Sequence, residues 1–185
     1  HETTAVLLDW AWILLSQHPD ITAELQAELT DILQGRSPTF DDLPQLPLTQ
    51  AIIKEVLRLY PPAWVIFRGA AEGLNIRDEV VLNNSAFAIF PYAVHRDERW
   101  YEAPLTFRPA RWLDGLEQSL PKGAYFPFGL GPRTCIGNGF AQMEAQLILA
   151  TIAQQFRWQQ LNEAKMLPSP TLSFAEPIQM QLHKN

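Results

Sequence analysis

Cysteine is nearly missing from this 185-residue chain: Cys135 is the only one. That excludes an internal disulfide framework and any multi-cysteine zinc site. Runs of like charge are missing as well. The 14 basic residues are scattered among 20 acidic ones, giving a net charge of −6, and no basic cluster offers a surface for nucleic acid. Long apolar runs are absent: residues 5–15 are interrupted by Asp9 and fall short of the roughly 20 residues that a membrane span requires. No repeat, low-complexity tract or basic leader followed by an apolar core and cleavage site can be read. The chain opens on His1 rather than Met, inside a helical pattern, and is therefore expected to be a fragment. The expected location is cytoplasmic and soluble, with membrane anchoring of the parent left open.

What is present is the composition of a folding chain, 47% hydrophobic and 18% charged. At this length one domain with a sizeable core is expected, burying roughly 70% of its unfolded surface. Residues 1–17 read as the end of an apolar helix, and Pro19 fits the first turn of the next, where its missing N–H is harmless. There Ile21, Leu25, Leu29 and Ile32 share one face, and Gly35 ends the pattern as a left-handed cap. Pro38, Pro44 and Pro47 restrict the chain to turns and one short helix. Helix returns over residues 49–60, with Ile52, Ile53, Val56, Leu57 and Tyr60 on one broad face, and Pro61-Pro62 stops it.

Beyond that stop, residues 64–68, 74–76, 80–82 and 86–90 are short β-rich runs that predict a small sheet, with a turn at Asn83-Asn84. Residues 96–131 have little periodicity and are too long for a mere connector, which points to a functional loop. Phe140, Met143, Leu147, Ile148 and Ile152 then fall in helical register over residues 138–156. Residues 171–182, with Pro177, predict a terminal hairpin at a sheet edge.

A lone cysteine is most often a small buried core residue, but the neighbours of Cys135 argue otherwise. The segment Phe128-Gly129-Leu130-Gly131-Pro132-Arg133-Thr134-Cys135-Ile136-Gly137 puts a glycine-rich loop against the sulfur, and Gly131 and Gly137 permit close approach by a flat ligand. Arg133 adds a fixed positive charge. A thiolate is the metal-binding species, and the helix beginning near Asn138 directs free N–H groups and a partial charge of ~0.5 toward it. An anion nest of the phosphate-binding kind is the competing reading of such a loop, but it needs no cysteine.

Phe128, Gly131, Arg133, Cys135 and Gly137 match the haem-binding signature of the cytochrome P450 family, F-x-x-G-x-R-x-C-x-G. Further stretches agree in order. Lys54-Glu55-Val56-Leu57-Arg58 resembles the family's E-x-x-R helix, and Phe107-Arg108-Pro109-Ala110-Arg111-Trp112 resembles its F-x-P-E-R-F segment, with Ala110 for Glu and Trp112 for Phe. Glu2-Thr3-Thr4, preceded by His1, resembles the end of the oxygen-activation motif A/G-G-x-E/D-T-T.

The resemblance implies a mainly α fold with small β-sheets, residues 1–185 forming the C-terminal part of a single haem-thiolate monooxygenase domain without its N-terminal portion. It implies haem b with Cys135 as the proximal iron ligand and Phe128, Arg133, Gly137 and Arg68 at the cofactor, the two arginines on its propionates. It implies a buried structural network of Glu55, Arg58 and Arg111, and proton delivery by Glu2 and Thr3. Substrate contact falls to Ala63, Trp64, Val65 and Ile66, with Ser173 or Phe174 nearby. His95, the one histidine that invites a ligand role, matches a fold-positioning segment instead.

The implied activity is activation of dioxygen to hydroxylate or epoxidise a small, lipophilic organic substrate. The implied partners are a ferredoxin or flavoprotein reductase, with NAD(P)H as ultimate electron source, and no nucleic acid. The alternatives are a noncatalytic fragment unable to retain haem, and a thiolate-haem peroxygenase or hydroperoxide isomerase, against which the pair Glu2-Thr3 argues.

Overall fold

The computed structural model describes residues 2–70 and 72–184. At its centre lies α1 (Glu2–Gln17), which buries Leu7, Trp10, Ala11, Ile13, Leu14 and Leu15. A helix apolar around most of its circumference must be enclosed by other elements. α2 (Pro19–Leu33) follows after His18 alone and buries Leu25, Leu29 and Leu33. Its left-handed stop comes one residue earlier than expected, at Gln34 with φ +51, and runs on through Gly35 at φ +84.

The expected short helix is a 3-10 turn over Phe40–Gln45, closed by reciprocal bonds between Thr39 and Asp42. α3 (Pro47–Leu59) then buries Ile52, Ile53, Val56 and Leu57. Glu28 of α2 accepts the N–H groups of Leu48 and Thr49 and the Thr49 hydroxyl. That carboxylate satisfies first-turn donors of α3 that have no partner within the helix.

The predicted small sheet is two separate pairs. β1 (Ile66–Gly69) runs antiparallel to β4 (Ala86–Ile89), with Ile66 opposite Ile89. β2 (Asn75–Ile76) and β3 (Glu79–Val80) close on each other through a turn in which Arg77 has φ +54. These two-residue strands use up their pairing on one another and extend no ladder. Asn84 supplies the predicted turn before β4 at φ +66.

The single-turn helix α4 (Pro91–Val94) precedes the long aperiodic stretch, which holds only two more, α5 (Ala110–Leu113) and α6 (Leu116–Ser119), before a 3-10 turn at Gly131–Arg133. α7 (Asn138–Gln155) follows, but its core face differs from the predicted stripe. Ala145, Leu149, Ala150 and Ala153 are buried, whereas Phe140 is 63% exposed and Met143, Leu147, Ile148 and Ile152 are only partly covered. Small side chains let neighbouring helices approach closely, so the alanines go inward and the larger apolar groups do not.

The C-terminal region corrects the predicted hairpin. β7 (Leu172–Phe174) pairs backwards with β6 (Met166–Pro168), and β8 (Met180–Lys184) pairs with β5 (Phe156–Gln160). Trp158 explains where the last strand goes. Its indole donates to the Trp12 carbonyl at 2.9 Å and its ring meets Trp12 edge-on at 4.7 Å, fixing β5 on α1 and offering β8 an edge. Pro177 falls between the strands, where no ladder donor is needed.

Candidate functional site

α3 ends below the loop that carries Cys135, and its last two turns hold the most heavily bonded group of the fold. Glu55 and Arg58 are both fully buried. Arg58 Nη2 and Nε donate to Glu55 Oε1 and Oε2 at 2.8 and 2.9 Å, the i,i+3 spacing placing them side by side. Arg111 Nε, from α5, donates to Oε1 at 3.0 Å, as does the Arg108 backbone N–H. Four donors thus converge on one buried carboxylate.

Sequence reasoning missed one member of this group. Trp112 Nε1 donates to Glu55 Oε2 at 2.8 Å. In sequence Trp112 is only a departure from the family pattern; the signal is that tryptophan, unlike phenylalanine, brings a donor. Two arginines against one carboxylate leave an excess positive charge, and backbone carbonyls absorb it. Arg58 Nη1 donates to the carbonyls of His95 and Pro104 at 2.8 and 2.7 Å, and Arg111 Nη1 to that of Glu102 at 2.9 Å. Burial pushes the Arg111 guanidinium below its ordinary value, against the pull of Glu55.

His95 links this network to the cysteine loop. Its carbonyl takes the Arg58 bond, and its Nε2 accepts the Phe126 N–H at 2.9 Å, which places the ring proton on Nδ1. Burial, reinforced by the Arg58 charge, pushes its pKa down to about 3. The ring is neutral and structural.

From Phe126 the chain enters a run of turns. Gly129 and Gly131 take φ +77 and +73, conformations that disfavour any side chain, and the Cys135 N–H donates to the Phe128 carbonyl at 2.9 Å. Gly137 differs from expectation, since its φ of −84 suits any residue. What a side chain there would meet is the Cys135 sulfur, 3.8 Å from an added Cβ, at the wall of a cleft.

That cleft measures about 460 Å³ and lies between the start of α1, β1 and the cysteine loop. Thr3, Ala63, Ile66, Arg68, Phe128, Arg133, Cys135 and Gly137 all line it. Arg68 and Arg133 are exposed and have no carboxylate partner among the described residues. Cys135 is open to solvent, three residues before α7. An apolar slot with a sulfur on one wall and two cations without counter-ions fits a flat macrocycle bearing carboxylates.

Other expected site residues lie elsewhere. Glu2 is exposed, off the cleft, and accepts the Thr171 hydroxyl at 3.0 Å, while His1 lies outside the described residues. Trp64 donates to the Ser169 carbonyl at 2.7 Å, and neither it nor Val65 lines the cleft. The segment bends at residues 62–63 and enters β1 only at Ile66, so Ala63 and Ile66 reach the cleft and the two residues between them do not. Phe174 packs against Trp10 at 4.7 Å, and with Ser173 it borders a separate pocket.

The family profile "Cytochrome P450" matches residues 1–183. The chain belongs to the cytochrome P450 family. It is 41% identical over 180 residues to cyclooctatin synthase of Streptomyces melanosporofaciens, an alignment covering 97% of this chain and 39% of that protein. It is 37% identical to pentalenene oxygenase of Streptomyces avermitilis, covering 98% and 40%, and 36% identical to human cytochrome P450 4V2, covering 89% and 32%. The crystal structure of a cytochrome P450 superposes with a TM-score of 0.89 at 30% identity, over all of this chain and 42% of the other. The chain thus spans about two-fifths of the length of the relatives it matches most fully. P450 membership implies a cysteine-ligated haem, and Cys135 is the only cysteine. No helix among the described residues is long and apolar enough to cross a membrane.

Two outcomes follow from the network. Arg111→Ala leaves Glu55 buried with part of its charge uncompensated, and should cost ~3–5 kcal/mol in a urea unfolding titration; a loss below about 1 kcal/mol would contradict a buried network role. For His95, the unfolded chain takes up a proton near its ordinary value of 6.5 while the folded chain resists until about 3. Stability should therefore fall on acidification across that window, by up to roughly 1.4 kcal/mol per pH unit from this group, and change no further below it. The His95→Gln variant should show a correspondingly shallower decline between pH 6.5 and 3.

Proposed function

We propose that this chain is the iron-ligating part of a haem-thiolate monooxygenase that hydroxylates or epoxidises a lipophilic substrate. The observation that carries this reading is the placement of Cys135 on the cleft wall with Arg68 and Arg133, both without carboxylate partners, on the same cleft. Cys135 would ligate the iron and the two arginines would hold the propionates of haem b. When bound, the haem would supply activation of dioxygen, with electrons from a ferredoxin or flavoprotein reductase fed by NAD(P)H.

The chain's own residues orient and protect that chemistry. Leu7, Leu57, Phe128 and Phe140 make the cleft walls apolar. Ala63 and Ile66 contribute the described portion of a substrate surface, small and apolar enough for a hydrocarbon. Thr3 lines the cleft and Glu2, its neighbour in the first turn of α1, lies off it, both of them exposed. An alcohol on the cleft beside an acid in solvent would suit handing a proton toward the cleft. Two similar proteins named for oxygenation of pentalenene and cyclooctat-9-en-7-ol favour a monooxygenase over a peroxygenase.

The complete polypeptide carrying these residues should show, once reduced and exposed to carbon monoxide, the red-shifted Soret band of thiolate ligation. Cys135→Ala should abolish it, and an unchanged band would refute the ligand assignment. The isolated 185 residues leave Cys135 and Ile136 open and should shed haem on gel filtration. Thr3→Ala should lower the product formed per NAD(P)H consumed by up to roughly a hundredfold, the low end of what one positioned proton-transfer group contributes; unaltered coupling would remove Thr3 from the proton path.

A further inference from the structure

Trp112 joins two things that the network of charged residues leaves separate. Its indole N–H is bonded to Glu55 Oε2, and its ring lies against Tyr125 with centroids 4.7 Å apart. Tyr125 opens the segment that runs through Phe126 and Phe128 to Cys135. The Tyr125 hydroxyl donates to the Lys54 carbonyl of α3 at 3.1 Å, and Lys54 itself reaches across Trp112, its Nζ 6.0 Å from the ring centroid. The indole is thus held on one edge by the buried carboxylate and leans with its face on the first aromatic side chain of the haem-loop segment.

The bonds to Glu55 are unevenly shared. Oε1 receives Arg58 Nη2, Arg111 Nε and the Arg108 N–H, whereas Oε2 receives only Arg58 Nε and Trp112 Nε1. Without the indole, Oε2 keeps a single donor in a fully buried setting, and an under-bonded buried carboxylate is costly. Phenylalanine, which the family pattern has at this position, provides no such bond.

We propose that Trp112 is a positioning residue for Cys135, transmitting the fixed position of the Glu55 carboxylate through the Tyr125 ring to the loop that presents the sulfur. This rests on the reading of Cys135 as the haem ligand. A residue of merely structural worth would lower global stability and leave the ligation chemistry alone.

The test is a double-mutant cycle in the complete polypeptide loaded with haem, reading the rate at which the reduced carbon-monoxide complex loses its thiolate Soret band. Trp112→Phe keeps a ring and removes the N–H; Tyr125→Leu removes the ring that it leans on. Each should speed loss of the band about tenfold, the order expected from forfeiting one hydrogen bond to a charged group. The two together should be no faster than the worse single change, because they break one path. Tyr125→Phe, which restores the ring without its hydroxyl, should return the rate to that of the unsubstituted protein.

Band loss at the unsubstituted rate in Trp112→Phe, or effects that multiply in the double variant, would overturn the proposal while the thiolate band itself upholds Cys135. Haem bound without any thiolate band in the unsubstituted protein would instead overturn the ligand reading and the proposal with it. Should Trp112→Phe not accumulate as a haem protein, the two Tyr125 variants decide: equal rates in Leu and Phe would sink the idea.

Discussion

The carboxylate of Glu55 is the fixed point about which the irregular half of the chain is arranged. Buried beyond reach of solvent, it must be matched by donors or be expelled, and the donors come from three places along the sequence: Arg58 on α3, Arg108 by its backbone, and Arg111 with Trp112 on α5. The guanidinium groups then bond outward to carbonyls at residues 95, 102 and 104. A stretch without helix or strand has no ladder to satisfy its backbone, yet its buried carbonyls need partners. Here two arginine side chains take that part. The same arrangement sustains Ala103 at φ +44, unusual for a residue with a side chain, since its carbonyl also accepts the Thr106 N–H at 3.0 Å.

From that anchor, order passes to the cysteine loop along short contacts. His95 takes the Arg58 bond with its carbonyl and holds the Phe126 N–H with its ring, so one residue fixes both sides of the junction. Past Phe126 the loop is shaped locally, by positive φ at Gly129 and Gly131 and by the bond from Cys135 back to Phe128. The sulfur therefore needs no direct contact with the network. It is placed by a chain segment whose start is clamped and whose turns are dictated by glycine.

Much of this was legible in sequence because it is written in local spacing. The i,i+3 pair on α3, the proline stop after Tyr60 and the glycine pattern before Cys135 each act over a few residues, and each took the expected form. What could not be read depends on partners distant in the chain. Ala145, Ala150 and Ala153 look inert in sequence; only the approach of neighbouring helices makes them the buried face of α7, while the conspicuous Phe140 stays at the surface. The edge that β8 pairs with exists because Trp158 binds Trp12, 146 residues away. Trp64, one of four residues expected to face a substrate, turns away because its indole finds the Ser169 carbonyl, 105 residues along the chain.

The arginines of the site show how one residue type is put to opposite uses. Arg58 and Arg111 are buried, and their hydrogen bonds go to Glu55 and to backbone carbonyls, leaving nothing to offer a ligand. Arg68 and Arg133 sit in solvent at the cleft without a carboxylate partner. An exposed guanidinium is solvated at little cost, so these two need no carboxylate partner where the inner pair does. The charges that hold the loop are thus insulated from the charges that would hold its cofactor.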